Sequence, residues 1–226
     1  MMEQIAKNTV QAANQLTPNA AVTFSRPTAE GLRVMFVGNS ITRHGVKPDI
    51  GWLNDYGMAA SSMDRDYVHL LEARILARRE ATFCIAQVAE WERLYRTPAE
   101  ALPRYAAAAA FHPDILIFRS IENAPAKDFD PAAFRNSLDE LLAYLAPDPG
   151  TKLCFTTSFW HHPGDAVLRE AAAARKAPMA ELGDLGERDD MKAIGLFAHS
   201  GVANHPGDAG MAAIADRIWA MIEGWI

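Results

Sequence analysis

The sequence predicts a three-layer α/β/α sandwich built on a parallel, flavodoxin-like sheet of about five strands. Short apolar runs alternate with longer stretches of helical spacing, and this alternation is typical of a parallel sheet with helices on both faces. The 226 residues, 50% apolar and 22% charged, suit one globular domain whose core needs no disulfide or metal. We divide the chain into an N-terminal extension, residues 1–30, and a domain, residues 31–226.

Four apolar runs are the predicted strands: residues 32–37, 83–88, 115–118 and 153–155. Their near-continuous apolarity favours strands that are covered on both faces. The fifth strand is the least marked, and residues 195–198 are our candidate for it. Residues 177–191 are polar and charged, which indicates a long surface excursion.

Three helices are predicted from spacing and capping signals. Residues 64–79 place apolar side chains on one helical face. Asp130 followed by Pro131 is an N-cap with proline in the first turn, and that helix stops before Pro147. A last amphipathic helix begins after Asp208.

The net charge and the positions of the cysteines limit the kinds of molecule that the protein is expected to bind. Lys and Arg total 22 against 28 Asp and Glu, a formal charge of −6, which argues against nucleic acid and anionic membranes. Cys84 and Cys154 lie in apolar runs, as buried free thiols do, and neither belongs to a CxxC motif. Without a signal-like segment or an 18-residue apolar run, we expect a cytoplasmic protein without a membrane partner. No pattern indicates the oligomeric state.

Polar residues that follow the strands are the candidates for chemistry, because ligands bind beyond the carboxyl ends of parallel strands. Ser40 lies two residues after Gly38, where a sharp turn presents the hydroxyl; alternatively it caps the next helix. His205 precedes Pro206, and the resulting extended backbone either brings its imidazole over the strand ends or is purely structural. The Asn123 amide is placed to donate to an oxyanion or to form an Asx-turn.

These residues follow one another in a distinctive order. Segment 38–43, GNSITR, contains Ser40; segment 54–61 contains Gly57; Glu122 directly precedes Asn123; and segment 205–211 begins with His205. In order and local sequence they resemble the four blocks of the SGNH (GDSL-type) hydrolases. The resemblance runs from about residue 32 to the C-terminus.

The resemblance implies a serine esterase. Ser40 would attack an ester carbonyl, with His205 as general base and then as general acid. The backbone N–H groups of Ser40 and Gly57 and the side-chain amide of Asn123 would form the oxyanion hole. No metal or organic cofactor is implied.

Three positions depart from the family pattern. Asn39 replaces the usual Asp of the first block, Ile121 replaces a glycine before the third-block asparagine, and Val202 stands where the catalytic acid is usual. Three interpretations of the missing acid follow: a backbone carbonyl orients His205, an acid arrives from elsewhere in the chain, or the protein lacks activity. The candidate acids are Glu122, Glu187, Asp189 and Asp190.

The resemblance implies a small-molecule or carbohydrate ester as the substrate, with an O-acetyl group on a sugar as the expected acyl ester. Four aromatic residues near the candidate site either stack on a sugar ring or pack the loops: Trp52, Tyr56, Phe159 and Trp160. Arg119 either binds an anion or pairs with Glu122. His161 and His162 lack the partners of a metal site. An acyltransferase and a non-catalytic ligand- or carbohydrate-binding protein are the alternative functions.

Overall fold

The computed structural model describes residues 21–27 and 30–226 and contains a six-stranded sheet with helices on both faces. The strands are β1 (Val22–Ser25), β2 (Leu32–Gly38), β3 (Ala81–Gln87), β4 (Ile115–Arg119), β5 (Lys152–Thr156) and β6 (Met179–Ala180). The four predicted apolar strands are thus confirmed as β2 to β5.

The sheet is parallel except at one edge. The strand order is β1-β3-β2-β4-β5-β6, and β1 alone runs antiparallel to its neighbour, β3. Without β1, this is the flavodoxin-like order, in which the chain reverses direction across the sheet between β2 and β4. Gly38 and Arg119 pair in register where these two strands end. A crevice for a ligand is therefore expected beyond them.

Eight helices surround the sheet in the described residues: α1 (Tyr67–Leu76), α2 (Ala89–Arg93), α3 (Ala106–Ala109), α4 (Pro131–Leu145), α5 (Asp165–Ala174), α6 (Gly183–Gly186), α7 (Ser200–Ala203) and α8 (Asp208–Ile222). The predicted helices are confirmed as α1, α4 and α8. The Asp130 carboxylate caps α4 by accepting from the Ala133 N–H at 3.0 Å. No helix in the described ranges combines the length and apolar character that a membrane span requires.

The predicted strand at residues 195–198 is wrong, because the chain turns there and Gly195 has a φ of +82°. The last strand is instead β6, which lies within the predicted surface excursion at residues 177–191. Two residues are too few to produce an alternating pattern. The edge strand β1 lies inside the predicted N-terminal extension, of which residues 1–20 and 28–29 fall outside the described ranges.

Alternate side chains of the strands enter two separate cores. Phe36 faces α1 and α8 on one side, whereas Met35 faces α2 and α4 on the other. The predicted buried thiols are confirmed: Cys84 and Cys154 are free and lie on opposite faces of the sheet. Burial raises the pKa of each thiol to about 12, so both behave as small apolar side chains.

Candidate active site

Ser40 and His205 are neighbours in space although 165 residues separate them. The Oγ atom of Ser40 lies 2.8 Å from Nε2 of His205, and both side chains are buried. The turn that presents Ser40 requires Gly38. A Cβ atom at Gly38 would lie 1.8 Å from Oγ1 of Thr42 and 2.7 Å from the carbonyl oxygen of Arg119.

A backbone carbonyl fixes the orientation of His205. Its Nδ1 atom lies 2.7 Å from the carbonyl oxygen of Gly201. A carbonyl only accepts, so Nδ1 carries the hydrogen and Nε2 presents its lone pair to Ser40. Burial lowers the pKa of His205 to about 3, and the imidazole is therefore neutral at neutral pH. This is the tautomer and charge state of a general base.

The four candidate acids make other contacts. Glu122 pairs with Arg119. The other three pair on the protein surface: Glu187 with His161, Asp189 with Lys192 and Asp190 with Arg188. Within the described chain, none of the four hydrogen-bonds to His205.

Val202, at the position where the resemblance predicts an acid, lies in apolar surroundings. It is fully buried in a small apolar cluster that includes Ile50, Trp52 and Met58. A carboxylate at Val202 would lie in apolar surroundings, where an unpaired charge is costly. The carbonyl of Gly201, one residue earlier, holds the imidazole instead.

The three predicted oxyanion donors differ in whether they already donate a hydrogen bond within the protein. Among the described residues, the Ser40 N–H has no acceptor. The Gly57 N–H donates to Oδ2 of Asp66 at 3.0 Å, and a backbone N–H has only one hydrogen. The Asn123 amide donates to Oε2 of Glu92 through one of the two hydrogens on its nitrogen. The oxyanion roles of Ser40, Gly57 and Asn123 all stay predictions.

The replacement of Asp by Asn39 matches its surroundings. The Asn39 side-chain nitrogen donates to Oε1 of Glu92 at 2.9 Å and to Oε2 of Glu122 at 2.6 Å. Its oxygen accepts from Nη1 of Arg119 at 3.3 Å. An aspartate there would place a third carboxylate against two others, whereas the amide bridges them.

The two bridged carboxyl groups differ in their pKa values. Burial, and then the charge of Glu122, raise the pKa of Glu92. Burial also acts to raise the pKa of Glu122, but the Arg119 charge and the hydrogen bonds from the Phe159 N–H, Arg119 and Asn39 together outweigh it, and that pKa is lowered. Arg119 is fully buried and pairs with Glu122, which was one of the two roles predicted for it.

Ile121 keeps a backbone conformation that suits glycine. Its φ is +134°, a region that β-branched residues rarely occupy and that costs about 1–3 kcal/mol. Its N–H donates to the Glu92 carboxylate, and its buried side chain fills the space beside Gly164, where an added Cβ would lie 2.2 Å from Ile121 Cδ1. The chain therefore turns sharply here with isoleucine at a position whose backbone conformation favours glycine.

The predicted aromatic residues have two kinds of role. Trp160 contacts His205 edge to face, with ring centroids 5.1 Å apart. Trp52 and Phe159 are fully buried and support the loops, and Tyr56 packs edge-on against Trp52. Of the four, Trp160 is therefore the candidate to contact a substrate.

Sequence reasoning missed several residues at the site, and His44 is one of them. His44 is fully buried, and its Nδ1 atom bonds to the carbonyl of Gly45 at 2.7 Å. Its Nε2 atom has no partner in the described part of the chain. Burial lowers its pKa to about 4, and a charge on His44 would lower the pKa of His205. Asp66, Glu92 and Gly201 were also missed.

The two histidines that follow β5 make separate contacts. His161 pairs with Glu187, and Nε2 of His162 bonds to the carbonyl of Ala124 at 3.0 Å. In residues 21–27 and 30–226, no group of three His, Cys, Asp or Glu side chains is placed to hold a metal ion.

Comparisons with known proteins establish the fold. No protein-family profile matches the chain, and no curated protein matches it. Among solved structures, esterase EstA from Pseudoalteromonas sp., inhibited by monoethylphosphonate, is similar, with 14% identity and a TM-score of 0.56 over 86% of this chain and 98% of that one. A lipolytic protein of the G-D-S-L family from Veillonella parvula has 14% identity and a TM-score of 0.52 over 85% of this chain and 99% of its own.

A two-domain esterase active on acetylated mannans is also similar, with 15% identity and a TM-score of 0.54 over 85% of this chain. This chain spans about half of that protein, 48% of its length. The protein therefore has the SGNH hydrolase fold. At these identities the likeness establishes the fold alone.

Proposed function

We propose that this protein is a serine esterase that hydrolyses a short-chain carboxylic ester through an acyl-enzyme on Ser40. One observation carries the proposal: Oγ of Ser40 lies 2.8 Å from Nε2 of His205, while Nδ1 of the same ring bonds to the Gly201 carbonyl at 2.7 Å. A nucleophile, a base and a group that orients the base are the parts that acyl transfer requires.

The reaction has two halves. His205 Nε2 takes the Ser40 proton as Oγ attacks the ester carbonyl, and the imidazolium then returns that proton to the leaving alcohol. In the second half, water gives a proton to Nε2 as its oxygen attacks the acyl-enzyme carbonyl, and the imidazolium then returns the proton to Oγ of Ser40 as the bond between the acyl carbon and Oγ breaks and the acid leaves. The Ser40 N–H and the Asn123 amide stabilise the negative oxygen of each tetrahedral intermediate.

The Gly201 carbonyl performs part of the work of a catalytic acid. In the serine-protease template, replacing the acid by its amide leaves the wrong tautomer and lowers kcat by about 10⁴-fold. Here the carbonyl selects the correct tautomer. As a neutral group, it stabilises the imidazolium less than a carboxylate does, so we expect turnover below that of a full triad.

The substrate that we propose is a small acyl ester, specifically an O-acetyl group on a carbohydrate. Ser40 is only 4% exposed and His205 only 2%, and such an enclosed pair favours a small acyl group. The similar two-domain esterase acts on acetylated mannans, which supports a carbohydrate. Trp160, in contact with His205, offers an aromatic surface for a sugar ring.

A second candidate is a non-catalytic ligand-binding protein. The observation that favours it is the engagement of Gly57, because the single N–H hydrogen of this predicted oxyanion donor is bonded to the Asp66 carboxylate. An acyltransferase differs from the esterase only in the alcohol that resolves the acyl-enzyme.

A fluorophosphonate probe separates the esterase from the binding protein, because covalent labelling requires an activated serine. We expect stoichiometric labelling of wild type on Ser40, detected by intact mass and peptide mapping. Ser40→Ala should abolish the labelling, whereas Ser62→Ala, at a surface serine that bonds to Asp64, should not. An unlabelled wild type would favour the binding protein.

A further inference from the structure

The carboxylate of Glu92 accepts hydrogen bonds from the turn that follows β4, although Glu92 itself belongs to a different element. It is fully buried on helix α2. Its Oε1 atom accepts from the Asn39 amide, the Ser120 hydroxyl and the Ile121 N–H. Its Oε2 atom accepts from both the backbone N–H and the side-chain amide of Asn123. Five donors converge on one carboxylate, and three of them are side chains.

The two bonds from Asn123 fix its backbone and its side chain together. The backbone N–H lies 3.1 Å from Oε2, and the side-chain nitrogen bonds to the same oxygen. Facing a carboxylate that accepts hydrogen bonds, the amide turns its nitrogen rather than its oxygen toward Glu92. The direction of the amide donor is therefore set by Glu92.

Glu92 also holds the backbone that carries Asn123. Ile121, two residues earlier, has a φ of +134°, and such a conformation persists only where the surroundings enforce it. The Ile121 N–H donates to Oε1 of Glu92, and the Ile121 carbonyl accepts from the Ala124 N–H at 2.8 Å. The turn is thus bonded on both sides of Asn123.

We propose that Glu92 is a positioning residue that holds Asn123 in the orientation its oxyanion role requires. The inference rests on the proposed esterase function. Glu92 acts through Asn123, and in this role its carboxylate does not touch the substrate.

A double-mutant cycle between Glu92 and Asn123 tests this role. Glu92→Gln preserves the size of the side chain, but its NH₂ group must face at least two of the five donors. We expect Asn123→Ala to lower kcat for p-nitrophenyl acetate by about 10²–10³, as the loss of an oxyanion donor does. Glu92→Gln should lower kcat at least tenfold with little change in KM. The kcat of the double variant should equal that of Asn123→Ala within about threefold, because both substitutions remove the same contribution, that of the Asn123 amide.

The alternative is a general structural role for Glu92, and it predicts a different cycle. In that case the two losses in kcat multiply in the double variant, or Glu92→Gln leaves kcat unchanged, and either result overturns the proposal. Glu90→Gln is the matched control, since Glu90 lies on the same helix and pairs with Arg104. This control should retain wild-type kcat.

Two further measurements keep the test decisive. If Glu92→Gln does not fold, as judged by thermal unfolding, the cycle is repeated with Glu92→Asp, which keeps the charge and withdraws the oxygens by one methylene. Fluorophosphonate labelling separates the two proposals. A wild type that is not labelled on Ser40 overturns the esterase and the role of Glu92 together, whereas a labelled wild type with multiplicative losses overturns the role of Glu92 alone.

Discussion

The Nδ1 atom of His205 lies 2.7 Å from the carbonyl oxygen of Gly201, four residues earlier in the chain. Among the described residues, no carboxylate bonds to this imidazole, and the carbonyl is the group that orients it. The contact is local, since α7 (Ser200–Ala203) and the residues that follow it supply both partners. The orientation of the base therefore depends on the backbone of one short segment.

The first prediction concerns pH. A general base must be unprotonated, and burial lowers the pKa of His205 to about 3. Protonation would therefore reduce activity only near that value, so kcat/KM for p-nitrophenyl acetate should be constant from about pH 8 to about pH 5. With an ordinary histidine pKa of about 6.5, kcat/KM would fall more than tenfold over the same range. A half-loss near pH 6.5 would contradict our description of the site.

The second prediction concerns Val202→Asp, which restores the acid of the family pattern. Val202 is fully buried among apolar side chains, so the new carboxylate lacks a built partner. We expect a lower Tm and no gain in kcat. Val202→Ala is the control for lost volume and should lower Tm less. A variant with unchanged Tm and raised kcat would show that the segment accommodates a catalytic acid after all.

The third prediction concerns Asn39→Asp, which places a carboxyl group against Glu92 and Glu122. Burial and repulsion from Glu92 and Glu122 raise the pKa of the new carboxyl, and the Arg119 guanidinium, which is already paired with Glu122, offsets this only in part. The folded state therefore binds the extra proton more tightly than the unfolded chain. The loss of stability should therefore be full at neutral pH and should shrink as the pH falls toward 5. Thermal unfolding at several pH values measures this. Asn136→Asp, on the exposed face of α4, is the control and should show little change. A pH-independent loss would mean that charge is not the cause.

Much of the fold follows from local sequence patterns. The four buried strands are continuous apolar runs, and the cap of α4 is encoded by Asp130 and Pro131. The two edge strands were missed because β6 has only two residues and β1 lies in a segment without an apolar run. The alternation of apolar and polar residues in β1 covers only four positions, Val22–Ser25, which is too short to stand out from the surrounding sequence.

Only those residues of the candidate site whose side chains form a recognisable sequence pattern could be predicted. Ser40 and His205 were predicted from their order and neighbours, and the structure places Oγ of Ser40 2.8 Å from Nε2 of His205. The group that orients His205 is a backbone carbonyl, which every residue possesses, so no residue type reveals it. The role of Glu92 becomes visible only in the folded chain, where β3 and β4 lie on either side of β2 and the turn after β4 closes over the carboxylate.

The most direct test of the account is hydrolysis of p-nitrophenyl esters from acetate to octanoate by wild type, Ser40→Ala and His205→Ala. We predict that wild type hydrolyses acetate fastest and that each variant loses at least about two orders of magnitude in kcat. Equal, slow rates for all three proteins would contradict the account, because Ser40 would then not be an activated nucleophile.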